Sequence, residues 1–372
     1  MSRALRLHFD KWLIPAGMTK TRLTYRRFVL AKTISYAVAL LATVSILYVG
    51  IYPSLQHVIE NQATVQTQQF MQSLAKSAHG ALSQQEIQRE AAAYKANFLS
   101  AFGFNQPLPL KFAVQMEHLF TFQFGTSYFT LAPNGSNLVS SVIAAYLPNT
   151  ILLFTTGTIL VVLVGSVIGL IAARAAGGKL DRSIPFIAVF HSSLPTWWVG
   201  FIFIAYFAYT VNLFPSGGII SVPPPSGVLP RFGDFLAHLA LPLAAFFVVN
   251  VGGFAYVIRS LVVTTMSEDF VLTARARGLT DNRILFSHVL RTVSPSIATQ
   301  AVLAVAGSFG GAITVEVVFR WPGLGLLTFD SILSNDLPVI IATTFVLTIV
   351  LLLGLYIGEL LYGVLDPRIK SG

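Results

Sequence analysis

Long apolar runs alternate with short polar segments over most of the 372-residue chain. Several of the runs reach or exceed the roughly 20 residues that a helix needs to cross a bilayer. We place them at about 28–52, 138–173, 184–212, 235–263, 293–319 and 339–362. Because the runs are continuously apolar and do not alternate, they predict helices and not barrel strands.

The polar segments between these runs set the predicted organisation. A basic extension, 1–27, precedes the first transmembrane helix, 28–52, and a long segment, 53–137, follows it. Residues 138–372 then form a core with five more spans and a polar loop at 264–291. The fold class that we predict is an all-α polytopic membrane protein with six transmembrane helices.

The segment 53–137 is rich in glutamine in its first part and in Phe and Leu from 98 to 129. Disordered segments are poor in large apolar residues. We therefore predict a small helical subdomain outside the cell. A disordered linker is the alternative.

Composition supports a membrane location. Only 10% of the residues are charged and 54% are hydrophobic, whereas soluble domains carry about 25% charged residues. The net charge of +9 would suit nucleic acid, but the basic residues collect before and between the spans, so we expect no nucleic-acid partner. The chain has no cysteine, which excludes a disulfide framework and thiol chemistry.

Lysine and arginine also predict the orientation. With a cytoplasmic N-terminus, the inner side receives seven of them in 1–27, three in 174–182, five in 259–291 and two in 363–372. Six fall on the outer side, four of them in the long segment, where the positive-inside rule has little weight. We expect both termini in the cytoplasm and the chain in the plasma or inner membrane.

The loop at 264–291 has the pattern of two short helices joined at a glycine. Acidic Glu268 and Asp269 favour a helix start, Gly278 ends that helix, and a second helix begins near Asp281. Small residues and arginines follow the start and suit close contact with a soluble partner. A solvated connector on the membrane surface is the alternative, and the residues alone leave both open.

Motifs in this loop and elsewhere resemble those of ABC-importer permeases of the dipeptide/oligopeptide class. The loop carries V-L-T-A-R-A-R-G-L, with H-V-L-R beginning ten residues after the glycine. Further matches are G-F-N-Q-P-L-P-L at 103–110, F-G-T-S at 124–127, L-P-N-T at 147–150, E-V-V-F-R-W-P-G-L-G at 316–325 and V-L-D-P-R at 364–368. Their order and spacing carry the resemblance, which covers most of the chain beyond residue 98.

The resemblance implies that the loop holds a coupling helix that inserts into an ATPase subunit. The residues implied in that contact are Glu268, Asp269, Phe270, Thr273, Ala274, Arg275, Ala276, Arg277 and Gly278. The wider superfamily often has Glu-Ala-Ala before this glycine, whereas this chain has Leu272, Thr273 and Ala274. The oligopeptide branch commonly lacks that acid too.

The implied assembly contains a second homologous permease, two ABC ATPase subunits and an extracellular solute-binding protein in a lipid bilayer. Its substrate would be a peptide, although some members of the branch carry oligosaccharides or nickel complexes. This chain has no G-x-x-x-x-G-K-[ST] loop. We therefore expect no catalysis and no cofactor in this chain, with ATP and Mg bound by the partner subunits.

Five residues are candidates for the translocation path: His191, Trp197, Asn250, Ser308 and Glu316. Intramembrane polar groups of this kind are costly unless they are paired or wet. The structural alternative for Glu316 is pairing with Arg320 or with backbone amides. Trp321, in the turn that follows, is of the type found at membrane interfaces.

Two other functions compete with the importer. An ion-coupled secondary transporter would need acids inside the spans and often has inverted repeats. An intramembrane enzyme would need a paired nucleophile and base or a metal cluster. The sequence shows few acids deep in the spans, no evident repeat and no such cluster.

A bulky residue in place of Gly278 or Ala274 should weaken binding or coupling of the ATPase subunits and leave membrane insertion intact. Recovery of the ATPase subunits with the purified chain, together with their activity, measures the effect. Normal binding and stimulation by such variants would contradict the coupling assignment.

Overall fold

The computed structural model describes residues 20–77, 83–101 and 107–365. Most of the basic extension, the first four residues of the 103–110 motif and most of V-L-D-P-R lie outside these residues. Within them the chain is mainly helical and forms no β-strand, although Thr126 and Leu138 form an isolated antiparallel bridge. The predicted all-α class is confirmed for this part of the chain.

Thirteen α-helices, numbered here in chain order, are described. They are α1 Lys20–Ser77, α2 Gln84–Ala101, α3 Leu108–Phe120, α4 Val139–Arg174, α5 Lys179–Ser193, α6 Thr196–Phe203, α7 Val228–Met266, α8 Asp269–Ala276, α9 Asp281–Ile284, α10 Leu290–Ser308, α11 Ala312–Val318, α12 Leu324–Ser334 and α13 Leu337–Leu365. Two π-helices, Ile204–Thr210 and Leu285–Val289, and a 3₁₀ turn, Phe309–Gly311, lie between them.

Five helical segments of the described chain are long and apolar enough to cross a membrane. They are Arg27–Gly50, Val139–Arg174, Val228–Met266, Asp281–Ser308 and Leu337–Leu361. A sixth is obtained if α5 and α6 with its π-helix count as one span. The chain therefore has five or six candidate membrane helices, and the six-span topology remains a prediction.

The third predicted span, 184–212, is not one continuous helix. Its two halves, Lys179–Ser193 and Thr196–Thr210, meet at an angle of 85°. The cause lies in Pro195, which has no N–H to donate and which forces the preceding residue away from helical geometry. Leu194 accordingly has an extended backbone, with ψ of 119°.

The fifth predicted span, 293–319, is also interrupted. The apolar helical segment begins earlier, at Asp281, and ends at Ser308. A 3₁₀ turn, Phe309–Gly311, then separates it from α11. Gly310 and Gly311 are poor helix formers, which accounts for a break within an otherwise apolar run.

By its internal contacts the chain divides into two units. The first contains 1–40, 146–329 and 346–372, and the second contains 41–145 and 330–345. In the first unit α4 packs on α7 through glycines: a methyl group on Gly157 would lie 2.7 Å from the Phe246 ring, and one on Gly169 would lie 2.6 Å from the Ala255 carbonyl oxygen. Small residues allow this close backbone approach.

In the second unit the C-terminal part of α1 pairs with α2. Phe70 and Tyr94 stack with ring centroids 4.5 Å apart, and Lys95 Nζ donates to Thr64 Oγ1 at 3.1 Å. Ala63 is fully buried between such contacts. Helices therefore form within the predicted subdomain 53–137, while its extracellular location stays a prediction.

A buried carboxylate organises the loop before α4 in the same unit. Asp336 accepts hydrogen bonds from the Ser127 hydroxyl at 2.5 Å and from the Phe129 N–H at 3.1 Å. The adjacent Tyr128 is partly buried beside this charge. Burial, helped by Asp336, raises the pKa of the Tyr128 phenol to about 12, so it remains a neutral hydrogen-bonding group.

Candidate coupling loop and translocation path

The candidate coupling helix is α8, which is separated from the end of α7 by two residues, Ser267 and Glu268. Glu268 precedes it with an extended backbone, φ −77° and ψ 154°, and its carbonyl accepts from the Val271 N–H at 3.0 Å. Asp269 lies in the first turn, where negative charge is favourable. The helix start predicted from these two acids is confirmed.

Gly278 ends α8 as predicted. It has a positive φ of 76°, and its N–H donates to the Arg275 carbonyl at 2.9 Å. The Leu279 N–H reaches back to the Ala274 carbonyl at 3.3 Å. These two bonds form a Schellman motif, which needs a left-handed residue at this point. The constraint is conformational, because a methyl group built on Gly278 would meet nothing within 4 Å.

The two faces of α8 have different environments. Val271 and Ala274 are 0% and 7% exposed and belong to the same buried cluster as Ile258 and Val262 of α7. The opposite face is open to solvent. It carries Leu272, Thr273, Arg275, Ala276 and Arg277. Ala274 therefore packs mainly within this chain, whereas Leu272, which is 62% exposed, is free to contact a partner.

The second part of the loop is also anchored on one side. Ile284 and Val289 are fully buried, and Leu285 nearly so. Phe286 lies between them in the π-helix and is 60% exposed. Across the glycine turn, Arg275 Nε donates to Asp281 Oδ1 at 3.1 Å, a largely exposed contact that adds little stability.

Leu272 and Phe286 were not among the sequence candidates. Leu272 could have been found, because apolar Val271 and Ala274 three residues apart predict the buried face and leave Leu272 beside it. Phe286 could not, because the π-helix changes the register of the residues that follow it. An exposed large apolar side chain in a polar loop is a mark of a contact surface.

The path candidates lie on helices that pack against one another in the first unit. The helix pairs in contact are α5 with α7, α6 with α7, α6 with α11, and α10 with α7. His191, near the end of α5, packs directly on α7, since a methyl group on Gly252 would lie 2.9 Å from its Nδ1. Within the described chain that nitrogen is buried and has no hydrogen-bond partner.

The other polar candidates mostly bond within their own helices. Asn250 Nδ2 donates to the Phe246 carbonyl at 2.8 Å, and Ser308 Oγ donates to the Val305 carbonyl at 2.7 Å. Trp197 begins the second half of the broken span and is 44% exposed. Among the described residues, no group of three His, Asp or Glu is placed to hold a metal ion.

Glu316 is fully buried and holds the start of α12. Its Oε1 accepts from the Thr150 hydroxyl at 2.7 Å, and its Oε2 accepts from the N–H groups of Gly325 at 2.6 Å and Leu326 at 3.1 Å. The Thr150 hydroxyl in turn accepts from the Leu324 N–H at 2.7 Å. The contacts are those of a helix N-terminal cap, and they correspond to the backbone-amide alternative.

Trp321, a residue of the type found at membrane interfaces, packs inside the protein. The side chain is fully buried. Its indole Nε1 donates to the Asn149 carbonyl at 3.0 Å, and Asn149 Nδ2 donates to the Pro322 carbonyl at 2.7 Å. These reciprocal bonds supply the partner that a buried indole N–H requires, so the turn is tied to the start of α4.

Long apolar helices, a bent apolar helix pair and an anchored polar loop with exposed apolar residues define a multi-span membrane protein. Residues 165–371 match the family model described as "Binding-protein-dependent transport system inner membrane component". The chain belongs to this family and is a permease subunit of the binding-protein-dependent ABC importer class. The resemblance inferred from the sequence motifs is confirmed.

Curated relatives agree with this assignment. The oligopeptide permease protein AppB of Bacillus subtilis is 32% identical over 74% of this chain and 85% of its own length. The dipeptide permease protein DppB of Lactococcus lactis is 30% identical over 73% and 83%. The metal-staphylopine permease protein CntB of Staphylococcus aureus is 29% identical over 73% and 81%.

Among solved structures, a chain of the inward-facing MetNI methionine ABC transporter is similar at a TM-score of 0.48 and 15% identity. The similarity covers 60% of this chain and 96% of that chain.

Replacing Glu316 with Ala should lower the thermal stability of the protein in detergent. Two backbone N–H groups at the start of α12 would lose their acceptor, at a cost of about 1–3 kcal/mol each. Glu90→Ala, at an exposed position of α2, is the matched control and should leave the melting temperature unchanged. Equal melting temperatures for the two variants would contradict the capping role.

Proposed function

We propose that this chain is one of two permease subunits of an ATP-driven importer. With a second homologous permease it forms the path for peptides that an extracellular solute-binding protein delivers. Two ABC ATPase subunits bind ATP and Mg and supply the energy. The observation that carries this proposal is α8, a short helix buried on one face in the permease and open on the other.

The two faces of α8 suit a mechanical link. Val271 and Ala274 join the helix to α7 through buried contacts, so a displacement of α8 reaches the membrane helix. Leu272 offers an apolar side chain to a groove, and Arg275 and Arg277 offer hydrogen bonds to carboxylates or carbonyls. ATP then biases a two-state arrangement of the assembly through this contact.

The proposed contact with the ATPase retains the residues predicted from the sequence and adds two. The retained set is Glu268, Asp269, Phe270, Thr273, Ala274, Arg275, Ala276, Arg277 and Gly278. Leu272 and Phe286 are added because of their exposure. The side chain of Ala274 contributes chiefly by seating α8 on α7.

For the path we keep His191, Trp197, Asn250, Ser308 and Glu316 as proposed residues. Support is strongest for Trp197, which is exposed at the break of the third span. Discontinuous membrane helices are a common setting for substrate sites. Glu316 would act on the path through the position of α12, since both of its carboxylate oxygens are engaged.

The proposed substrate is a peptide, because AppB and DppB are named for oligopeptide and dipeptide transport. CntB, a relative of similar identity, is named for metal-staphylopine import. Nickel complexes therefore stay as alternative cargoes, as do the oligosaccharides that the sequence resemblance left open. We further propose that both termini are cytoplasmic and that 53–137 lies outside.

The first experiment is purification of the chain from solubilised membranes with mass spectrometry of the proteins recovered. A second permease and ABC ATPase subunits should be present. Recovery of this chain alone, active in proton- or sodium-driven uptake, would overturn the importer in favour of a secondary transporter. Uptake by the reconstituted complex is then measured for three probes: pentaalanine, maltotriose and nickel–histidine. Pentaalanine should be accumulated.

Leu272→Asp should reduce recovery of the ATPase subunits at least tenfold. A charge in the centre of an apolar contact removes an anchoring side chain and leaves an unpaired carboxylate, and losses at such anchors exceed about 2 kcal/mol. The measurement is the ratio of ATPase to permease after affinity purification.

Leu333→Asp is the matched control for this test. Leu333 is a leucine of similar exposure, 68%, at the end of α12 and outside the loop. It should leave the ratio unchanged. An unchanged ratio for Leu272→Asp would show that the exposed face of α8 does not bind the ATPase.

A further inference from the structure

Asp181 and Arg259 form a two-point ion pair between α5 and α7. Arg259 Nε lies 2.6 Å from Asp181 Oδ1, and Arg259 Nη2 lies 3.0 Å from Oδ2. The two side chains are 6% and 23% exposed. Because a guanidinium fork meets a carboxylate along two parallel bonds, the contact fixes orientation as well as distance.

The turn before α5 also donates a hydrogen bond to the Asp181 carboxylate. The Gly177 N–H donates to Asp181 Oδ2 at 2.9 Å, and Asp181 lies in the first turn of α5, where its charge is favoured. The pair therefore joins the turn at 175–178, the start of α5 and one face of α7. A buried charge that loses its partner is strongly unfavourable, so these parts hold together.

Close packing around the ion pair leaves little room for α5 to slide along α7. Ile184 of α5 and Ala255 of α7 are 2% and 1% exposed and belong to one buried cluster. A methyl group on Gly169 of α4 would lie 3.1 Å from the Arg259 backbone nitrogen. Interiors packed this tightly transmit a displacement instead of absorbing it.

The pair lies close to the candidate coupling loop. Arg259 is seven residues before Met266, the last residue of α7, which is about 10 Å along a helix. Its neighbours Ile258 and Val262 share a buried cluster with Val271 of α8. At its other end, α5 leads to the 85° break of the third span.

We propose that Asp181 and Arg259 are positioning residues that transmit movement of the coupling loop to α5. The inference rests on the proposed function, in which α8 binds an ATPase subunit. When α8 moves with that partner, its buried face carries the end of α7 with it. The ion pair then makes the start of α5 follow, and the displacement reaches the break beside Trp197.

A second ion pair in the same unit provides a control. Lys32 Nζ lies 3.0 Å from Glu359 Oε2 and joins α1 to α13, with side chains 37% and 32% exposed. Neither helix belongs to the chain of contacts from α8 to α5. Removing this pair therefore changes the charge of the membrane helices without breaking the proposed connection.

Single introduced thiols can follow the movement, because the chain has no cysteine of its own. Ser192→Cys reports on the end of α5 and Ser267→Cys reports on the turn from α7 into α8; both positions are exposed, and neither belongs to the proposed ATPase contact. In the assembled importer, maleimide labelling of this chain is compared without nucleotide and with ATP plus vanadate. With the ion pair intact, nucleotide should change both labelling rates about fivefold or more.

Asp181→Asn and Arg259→Gln should each abolish the nucleotide response at position 192 and keep the response at 267. Arg259→Lys, which retains the charge and loses the two-point geometry, should give an intermediate response at 192. Glu359→Gln should leave both responses intact. The retained response at 267 shows that the variant complexes are folded and bind nucleotide.

Three outcomes would overturn the inference. A response at 192 that survives in both single variants shows that α5 does not follow through the pair. Loss of both responses in these variants shows a purely structural role. Absence of a response at 267 with the native pair overturns the proposed coupling role of α8, and the transmission with it.

Discussion

Close backbone approach between α4 and α7 is the contact on which most of the first unit depends. A bilayer offers little hydrophobic drive for helices to associate, so their contact relies on packing at short distance. Gly157, Gly165 and Gly169 place bare backbone along one face of α4 against α7. With α7 fixed in this way, its other faces receive α5, α6 and α11, and its end carries α8. The candidate coupling loop is therefore an extension of a helix that is already tightly packed.

Each unit also contains a buried carboxylate that organises a turn. Glu316 receives N–H groups at the start of α12, and Asp336 receives N–H groups from the loop before α4. A buried carboxylate is tolerated when donors surround it. In a chain with only 10% charged residues, acids at such positions serve to hold backbone in irregular conformations that hydrophobic packing does not specify.

The sequence predicted regular elements well and interruptions poorly. Apolar runs marked the long helices, and Glu268, Asp269 and Gly278 marked both ends of α8, because capping depends on local chemistry. The 85° break at Pro195 and the end of α10 at Ser308 were missed, since apolar runs continue through both. The burial of Trp321 was not predicted, because it depends on partners distant in sequence, here Asn149. The ion pair of Asp181 with Arg259 joins residues 78 positions apart, and no local pattern connects them.

Gly278 and Gly169, two glycines of the first unit, differ in the residues that could replace them. Gly278 is required by the handedness of its backbone, with empty space where a side chain would point. Asparagine, which adopts left-handed geometry more readily than other residues, is therefore a natural substitute there. Gly169 is required by volume, because any side chain would press into the backbone of α7. Related chains can thus vary at the first position through residues tolerant of positive φ, while at the second position even one added carbon would force the helices apart.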